Sequence, residues 1–188
     1  MLLALVGVTG VGKSYYKDKI VERLNFRKIN TIRTREPRKG EINGVSGLFM
    51  TKQEVDELEK EGKIAYKFDV FGGEYAYLKD EIFSDENMVF EMHYTTIDDW
   101  KKVRPDIKTI YIFPNDLEKA KEETRLRNLS KEKEEKRLIE IEEQYNKIKE
   151  NKRFQQKFDY IFYNNYDNES EEKLIELVEK MLKKEQEE

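Results

Sequence analysis

The first fifteen residues carry the pattern that most restricts how this chain can fold. Residues Gly7 to Ser14 read G-x-x-x-x-G-K-S, a glycine-rich loop whose backbone N–H groups can surround a phosphate. The apolar run Leu2–Val6 precedes the loop, as a buried parallel strand would, and the amphipathic stretch Lys17–Leu24 follows it, as a helix would. This order predicts an α/β fold of the P-loop NTPase type, a mostly parallel sheet flanked by helices.

The side chains of this P-loop suit the binding of a nucleoside triphosphate. Lys13 adds a mobile positive charge for the β- and γ-phosphates, and the Ser14 hydroxyl can bind Mg²⁺. The helix that follows presents its positive end to the same phosphates. The predicted triphosphate site therefore consists of Thr9, Gly10, Val11, Gly12, Lys13, Ser14 and Tyr15.

Composition limits the classes of function. The 188 residues suit a single domain, 1–188, and the net charge of −4 with mixed signs gives no general attraction to nucleic acid or anionic membranes. The chain has no cysteine, and its one histidine, His93, excludes a histidine-rich metal site. No apolar run approaches membrane-spanning length. We expect a cytoplasmic protein, a monomer or homodimer, that binds neither nucleic acid nor membrane.

Strands and helices alternate along most of the chain. The later strand candidates are nearly continuously apolar or aromatic, as in parallel strands covered on both faces. The capping box that begins at Thr51 predicts a helix that ends at Gly62, and Ser170 is the predicted N-cap of a C-terminal helix that covers the sheet. The strand candidates are Leu2–Val6, Ile64–Val70, Met88–His93, Thr109–Phe113 and Tyr160–Tyr163.

Two segments interrupt the alternation. Arg33–Met50 has little apolar periodicity, and with Ile64–Tyr77, which contains a Gly72-Gly73 turn, it predicts a small excursion from the sheet. Asn128–Asn151 is helical but almost entirely charged, which fits either a solvated helix pair or a mobile lid. Its sparse apolar stripe consists of Leu138, Ile141, Tyr145 and Ile148.

Three blocks around the P-loop resemble the guanylate kinase family. Residues 34–44 read T-R-E-P-R-K-G-E-I-N-G, which is similar to the family signature T-R-x-P-R-x-G-E-x-N-G. Residues 70–75 and 159–165 resemble the family's V-F-G-N-Y-Y and D-Y-V-I-V-N-D blocks. The resemblance implies a core of residues 1–30, 80–123 and 152–188. It also implies a nucleoside-monophosphate-binding insert, 31–79, and a helical lid, 124–151.

The same resemblance implies which groups handle phosphate. Arg35, Arg38 and Tyr75 match the residues that bind the acceptor's phosphate, and a planar guanidinium suits bidentate contact with such a group. Arg127 and Arg137 match lid arginines that close over ATP and stabilise the transferring phosphoryl group. Lys13, Arg35, Arg127 and Arg137 are thus the predicted catalytic residues.

Two further positions follow from the resemblance. Glu91 occupies the place of a family aspartate near Mg²⁺, and Asn164 that of a residue beside the adenine. ATP as donor, Mg²⁺ as cofactor and GMP or a related nucleoside monophosphate as acceptor are the implied ligands.

The base-reading positions depart from the family pattern. The family reads guanine with a glutamate, an aspartate, a hydroxyl residue and a tyrosine, and the matching positions here hold Tyr66, His93, Tyr77 and Gly47. Thr31 keeps a hydroxyl at the position of a family serine. A bulge in the strand would allow Asp69 to supply one missing acid. Without such an acid, this pattern predicts weaker preference for guanine than the family shows.

Two alternatives stay open at this point. A kinase of the same fold could phosphorylate another nucleotide or a sugar phosphate, because the departures concern base recognition only. A catalytically weak binding module of the same family is the other alternative. The intact Lys13, Ser14, Arg35 and Arg38 argue against the second one.

Overall fold

The structure is a computed structural model that describes residues 1–38, 40–70, 72–127 and 129–187. Lys39 and Phe71, which belong to the family-like blocks, lie outside the described residues, as does Asn128 at the start of the charged segment.

The main sheet is parallel throughout, as the apolar runs predicted. Its five strands lie in the order β2-β7-β1-β8-β9, with β1 in the centre. The strands are β1 (Leu2–Gly7), β2 (Arg27–Lys28), β7 (Met88–Glu91), β8 (Lys108–Pro114) and β9 (Tyr160–Asn164).

Two predicted strands differ from the observed ones in detail. β7 ends at Glu91 rather than His93, because the His93 carbonyl accepts hydrogen bonds from the Thr96 backbone and hydroxyl and begins a 3₁₀ turn. β9 is an edge strand on which Tyr160 and Tyr163 are exposed, so the prediction that it is covered on both faces was wrong.

A second, smaller sheet forms the predicted excursion. Its order is β4-β3-β6-β5, and β5 and β6 are an antiparallel hairpin that turns at Gly72. Val55, Ile32 and Ala76 form a small core of their own beneath this sheet. The strands are β3 (Ile32–Arg33), β4 (Leu48–Phe49), β5 (Ile64–Val70) and β6 (Gly73–Leu78).

Eight α-helices occur among the described residues. α2 has the predicted capping box, in which the Thr51 hydroxyl accepts from the Glu54 backbone and the Glu54 carboxylate accepts from the Thr51 backbone. The helices are α1 (Lys13–Arg23), α2 (Lys52–Lys60), α3 (Lys79–Ile82), α4 (Ile97–Val103), α5 (Leu117–Arg125), α6 (Lys131–Glu150), α7 (Lys152–Gln155) and α8 (Asn168–Glu187).

The main sheet is covered on both faces. Successive residues of β1 alternate between two hydrophobic clusters, because side chains along a strand point to opposite faces. One cluster contains Trp100 of α4, and the other contains Val178 of α8. The β1 residues in the first are Leu2, Ala4 and Val6, and those in the second are Leu3 and Leu5.

The C-terminal helix begins earlier than predicted. α8 starts at Asn168, and the Asp167 carboxylate accepts a hydrogen bond from the Ser170 backbone at 2.8 Å. The Ser170 hydroxyl accepts instead from the Asn165 backbone. Asp167, not Ser170, therefore caps the first turn.

α6 is better anchored than its charge suggests. Ile141 is buried in one core cluster and Ile148 in the other, while Leu138 and Tyr145 pack at their margins. The first ten residues of α6 are mostly exposed. In the part of the chain that the structure describes, every helix is too short or too polar to serve as a bilayer-spanning segment.

Candidate active site

The P-loop connects β1 to α1 at the carboxyl end of the main sheet. Gly10 has a φ of 81°, and a Cβ at this position would lie 2.0 Å from the Ala120 carbonyl oxygen. Glycine therefore allows the loop to pack closely on α5. The Val11 side chain is buried in the core beneath the loop, whereas Thr9 faces a large cavity. The loop leads into the first turn of α1, whose N–H groups and dipole favour an anion.

Lys13 lies folded against its own loop. Its ammonium donates to the carbonyl oxygens of Gly7 at 2.9 Å and Val8 at 2.8 Å. Burial lowers the pKa of Lys13 to about 8, although Glu91 opposes the shift. A phosphate that accepted hydrogen bonds from this ammonium would supply a negative charge that offsets the loss of hydration.

Glu91 ends β7 beside the P-loop. Its Oε1 accepts from the Ser14 hydroxyl at 2.9 Å and from the Lys17 ammonium at 2.7 Å. Burial alone would raise the pKa of Glu91, but Lys17, Lys13 and the hydrogen bonds outweigh it and lower the pKa to about 2. The carboxylate is therefore ionised at neutral pH.

Ser14 and Glu91 fit the requirements of Mg²⁺ in a nucleotide site. Mg²⁺ binds oxygen ligands and commonly takes one or two from the protein and the rest from phosphate and water. No group of three or more histidine, aspartate or glutamate side chains is positioned as a metal site among the described residues. The adjacent hydroxyl and carboxylate are thus suited to an ion that arrives with a triphosphate.

A second cationic cluster lies on the smaller sheet. The Arg35 guanidinium forms a bidentate pair with the Glu41 carboxylate, with N–O distances of 2.6 and 2.8 Å, and its Nε donates to the Tyr75 hydroxyl at 3.4 Å. The Glu41 hydrogen bonds raise the pKa of Arg35. Glu41 also accepts from the Arg38 backbone at 2.7 Å. One carboxylate thus fixes the loop that carries both arginines.

Two further arginines on the cavity wall, Arg38 and Arg137, have lowered pKa values. Burial, with the neighbouring Arg35, lowers the pKa of Arg38. Burial likewise lowers the pKa of Arg137, although Glu140 opposes it with a hydrogen bond of 3.2 Å. Arginines remain protonated in proteins, so these shifts indicate sites where an anion would be stabilised.

One cavity of about 920 Å³ joins these groups. Lys13 and Ser14 lie on its wall together with Arg35 and Arg38 from the smaller sheet, and Arg127 and Arg137 from the segment that follows α5. The predicted phosphate-handling residues therefore face one common space, although they are separated by more than a hundred positions in the chain.

A sequence model of the guanylate kinase family matches residues 1–182. The chain belongs to the guanylate kinase family. It is 28% identical over 189 residues to the guanylate kinase of Wolbachia pipientis wMel, covering 96% of this chain and 90% of that protein. It is 24% identical to the guanylate kinase of Rickettsia typhi, covering 95% and 90% respectively.

Solved structures share the fold. The crystal structure of guanylate kinase from Anaplasma phagocytophilum matches with a TM-score of 0.70 at 20% identity, covering all of this chain and 87% of that one. Shikimate kinase from Bacteroides thetaiotaomicron matches with a TM-score of 0.53 at 15% identity, covering 97% and 98%. The observed α/β fold is thus shared with a guanylate kinase and a shikimate kinase.

The structure brings most of the predicted acceptor residues to the cavity of this guanylate kinase family member. Thr31, Tyr75, Tyr77 and His93 line it, together with Phe68. Tyr77 is 1% exposed, and burial raises the pKa of its hydroxyl. The hairpin strands β5 and β6 therefore add three aromatic side chains to the cavity wall, Phe68, Tyr75 and Tyr77.

Two predicted acceptor residues lie elsewhere. Tyr66 is not on the cavity wall but packs against Trp100, with ring centroids 5.0 Å apart, and burial raises its pKa to about 12. Asp69 is exposed on the face of β5 opposite Phe68. The irregularity in β5 falls between Ile64 and Tyr66, so it does not turn Asp69 into the cavity.

Arg33 fills the space that a side chain at Gly47 would need. A Cβ at Gly47 would lie 2.0 Å from Arg33 Nη1 and 2.8 Å from the Thr31 carbonyl oxygen. The Arg33 guanidinium donates to the Ser46 carbonyl at 2.5 Å and lies 5.8 Å from the Tyr75 ring centroid. An additional cation thus lines the cavity where the family has a tyrosine.

His93 connects the main sheet to α6. Its Nδ1 lies 2.7 Å from the Thr95 hydroxyl, and its Nε2 lies 3.1 Å from Glu140 Oε1. Burial would raise the pKa of Glu140, but His93 and Arg137 together lower it. An acid from α6 therefore lies beside the position at which the family has an aspartate.

Five predicted donor residues lie outside the cavity wall, namely Gly10, Val11, Gly12, Tyr15 and Asn164. Tyr15 is half exposed, and its hydroxyl donates to Glu171. Asn164 is 2% exposed beneath the P-loop, where its amide donates to the Val11 carbonyl at 3.1 Å and accepts from the Tyr16 hydroxyl at 2.6 Å. Because its amide is occupied and buried, Asn164 supports the loop from below.

Several cavity residues were missed in the sequence. Lys17 lies one helical turn after Lys13, a spacing that could have suggested a second cation on that face. Arg33 directly precedes the arginine signature and Glu41 lies within it, so both could have been included with the predicted site residues. Glu140 gave no signal, because it is one of many acids on a charged helix.

Proposed function

We propose that this protein transfers the γ-phosphoryl group of ATP to the phosphate of GMP or dGMP, with Mg²⁺. The observation that carries the proposal is the single cavity, in which a P-loop lysine faces a separate arginine cluster on the smaller sheet. Two phosphate-binding regions in one cavity suit a donor and an acceptor that react directly. Membership of the guanylate kinase family supports GMP as the acceptor.

The donor side of the site consists of the P-loop and α1. Residues Thr9 to Ser14 hold the β- and γ-phosphates, and Lys13 exchanges its carbonyl partners for phosphate oxygens. Ser14 and Glu91 hold Mg²⁺, which neutralises phosphate charge when bound.

The acceptor side consists of the arginine cluster. Arg35 and Arg38 bind the monophosphate, and the Tyr75 hydroxyl beside Arg35 adds a further hydrogen bond. Arg127 and Arg137 stabilise the charge that spreads over the transferring group. The acceptor phosphate already carries an ionised oxygen, so no general base is required.

A different acceptor, or a module without catalysis, is less well supported. The curated relatives above are guanylate kinases, and the lysine, serine and arginines of the transfer chemistry all face the cavity. The insert and lid boundaries, the cytoplasmic location and the oligomeric state stay sequence-based predictions.

Turnover with a panel of monophosphates tests the proposal. Purified protein with MgATP should convert GMP and dGMP to diphosphates, with kcat/KM values well above those for AMP, UMP and dTMP. Lys13→Ala should abolish turnover and keep the fold, because its side chain contacts loop carbonyls and not the core. Absence of transfer to every guanine nucleotide, or full activity of Lys13→Ala, would contradict the proposal.

A further inference from the structure

We infer that Glu140 of α6 is the acid that recognises the guanine edge of the acceptor, in place of the acids that the smaller and main sheets lack. The inference rests on the proposed function, and it adds the residue that determines base specificity. His93 is a positioning residue in this arrangement.

The Glu140 carboxylate is held at the cavity by two contacts. One oxygen lies 3.1 Å from His93 Nε2, and the other accepts from Arg137 Nη1 at 3.2 Å. A carboxylate offers about four lone-pair sites, so two contacts leave room to accept from a ligand. The side chain is 23% exposed, and the residue lines the cavity. Glu140 is thus oriented, ionised and accessible.

The other acids on the cavity wall have different partners. Glu41 pairs with Arg35, Glu91 with Ser14 and Lys17, and Asp18 with Lys28 at 2.7 Å. Each of these three acids is thus paired directly with a lysine or an arginine. Glu140 instead lies beside His93, whose ring centroid is 6.4 Å from that of Phe68.

The surroundings of Glu140 suit a purine base. Phe68 lines the cavity with the buried Tyr77 ring nearly parallel behind it, centroids 6.5 Å apart, and Thr31, His93 and Gln144 add polar groups. When the two cationic clusters are assigned to the donor and acceptor phosphates, this part of the cavity is left for the base. Guanine presents two donors on its pairing edge, N1–H and the 2-amino group, and an ionised carboxylate only accepts hydrogen bonds. Adenine presents an acceptor at N1, which a carboxylate would repel.

The position of Glu140 also connects base recognition to the transfer chemistry. Arg137 lies one turn earlier in α6 and shares the Glu140 carboxylate. A guanine that binds Glu140 therefore contacts the partner of an arginine proposed to stabilise the transferring group. A bound guanine would therefore hold the side chains of Glu140 and Arg137 in place.

Replacement of Glu140 by glutamine tests the inference, because it removes the charge and keeps the shape. We compare kcat/KM for GMP, IMP and AMP, where IMP lacks the 2-amino group. Glu140→Gln should lower kcat/KM for GMP by about ten- to a hundredfold, the range for a lost charge-assisted hydrogen bond. The ratio of GMP to IMP should fall about tenfold, since the lost partner of the 2-amino group matters only for GMP.

A matched control and a binding measurement complete the test. Glu135→Gln removes a charge from the exposed face of the same helix and should leave all three values within about twofold. The ratio of the GMP and IMP dissociation constants, measured without ATP, should change by a similar factor to the ratio of their kcat/KM values. Because no phosphoryl group is transferred in this measurement, the result does not depend on the role of Arg137 in transfer.

Equal losses for GMP, IMP and AMP in Glu140→Gln would mean that Glu140 only positions Arg137, and would overturn the inference while the proposed function stands. An unchanged GMP to IMP ratio in binding would overturn it as well. A wild-type protein that phosphorylates no guanine nucleotide would instead contradict the proposed function itself.

Discussion

At the scale of single residues, the phosphate-binding side chains are held in place by partners that a ligand can replace or share. Lys13 donates to two loop carbonyls, and Arg35 pairs with Glu41 through both of its terminal nitrogens. This organisation lowers the conformational cost of binding, because the side chains are already ordered near the cavity. It also links binding to protonation at Lys13.

MgATP affinity should fall as the pH rises above 8. Burial lowers the pKa of Lys13 to about 8 in the free protein, and bound phosphates favour the protonated form and raise this pKa. Binding is therefore strongest below pH 8, where Lys13 is already charged, and should weaken by up to about tenfold per pH unit above it until the pKa of the bound state is reached.

Calorimetric titration between pH 7.5 and 9.5 measures this slope, in a range where the phosphates are fully ionised. Lys13→Met should bind MgATP weakly, with a flat pH profile. A variant profile as steep as that of the wild type would assign the titration to another group.

Arg35→Ala should impair the acceptor side alone. The loss of its charge-assisted hydrogen bonds should raise the KM for GMP by about ten- to a hundredfold and leave the KM for ATP within about twofold. Steady-state kinetics with each substrate varied in turn gives both values. Arg27→Ala removes an exposed arginine that pairs with Glu86 and is the control. Similar increases in both KM values would contradict the assignment of Arg35 to the acceptor.

At the scale of elements, α6 combines an anchored half with an exposed half. Ile141 and Ile148 are buried in the two core clusters, whereas the turns before them carry mostly exposed charged residues. The anchor limits any closing motion to the first half of the helix and the segment before it. The charged segment fitted either a solvated helix pair or a mobile lid, and the family resemblance implied a lid over 124–151. Given this packing, we expect lid motion only in the part before Ile141.

Hydrogen exchange should distinguish the two halves of α6. Amides of residues 131–140 should exchange faster than those of 141–150 in the free protein, because less apolar burial opposes their local opening. ATP with GMP should slow exchange in 131–140 most. Equal protection of both halves without ligand would show a fixed helix and exclude a lid function for this segment.

At the scale of the whole molecule, the sequence predicted the features that depend on neighbouring residues in the chain. Long apolar runs predicted four of the five strands of the main sheet, and the resemblance to the guanylate kinase family implied which arginines share a cavity with the P-loop lysine. The two-residue strands β2, β3 and β4 are too short to show a period. The pairing of His93 with Glu140 joins positions 47 apart on different elements, and Asn164 matched a motif yet lies beneath the P-loop. Contacts of this kind arise from packing, which no local pattern encodes.

The central claim is that one cavity receives the donor at the P-loop and the acceptor at the arginine cluster together. A bisubstrate compound, adenosine and guanosine joined by a pentaphosphate, tests it directly by equilibrium binding. Its dissociation constant should be at least about a hundredfold below that of ATP, because the second half binds at a high effective concentration. Arg38→Ala should remove most of this gain. A compound that binds no more tightly than ATP would contradict the account.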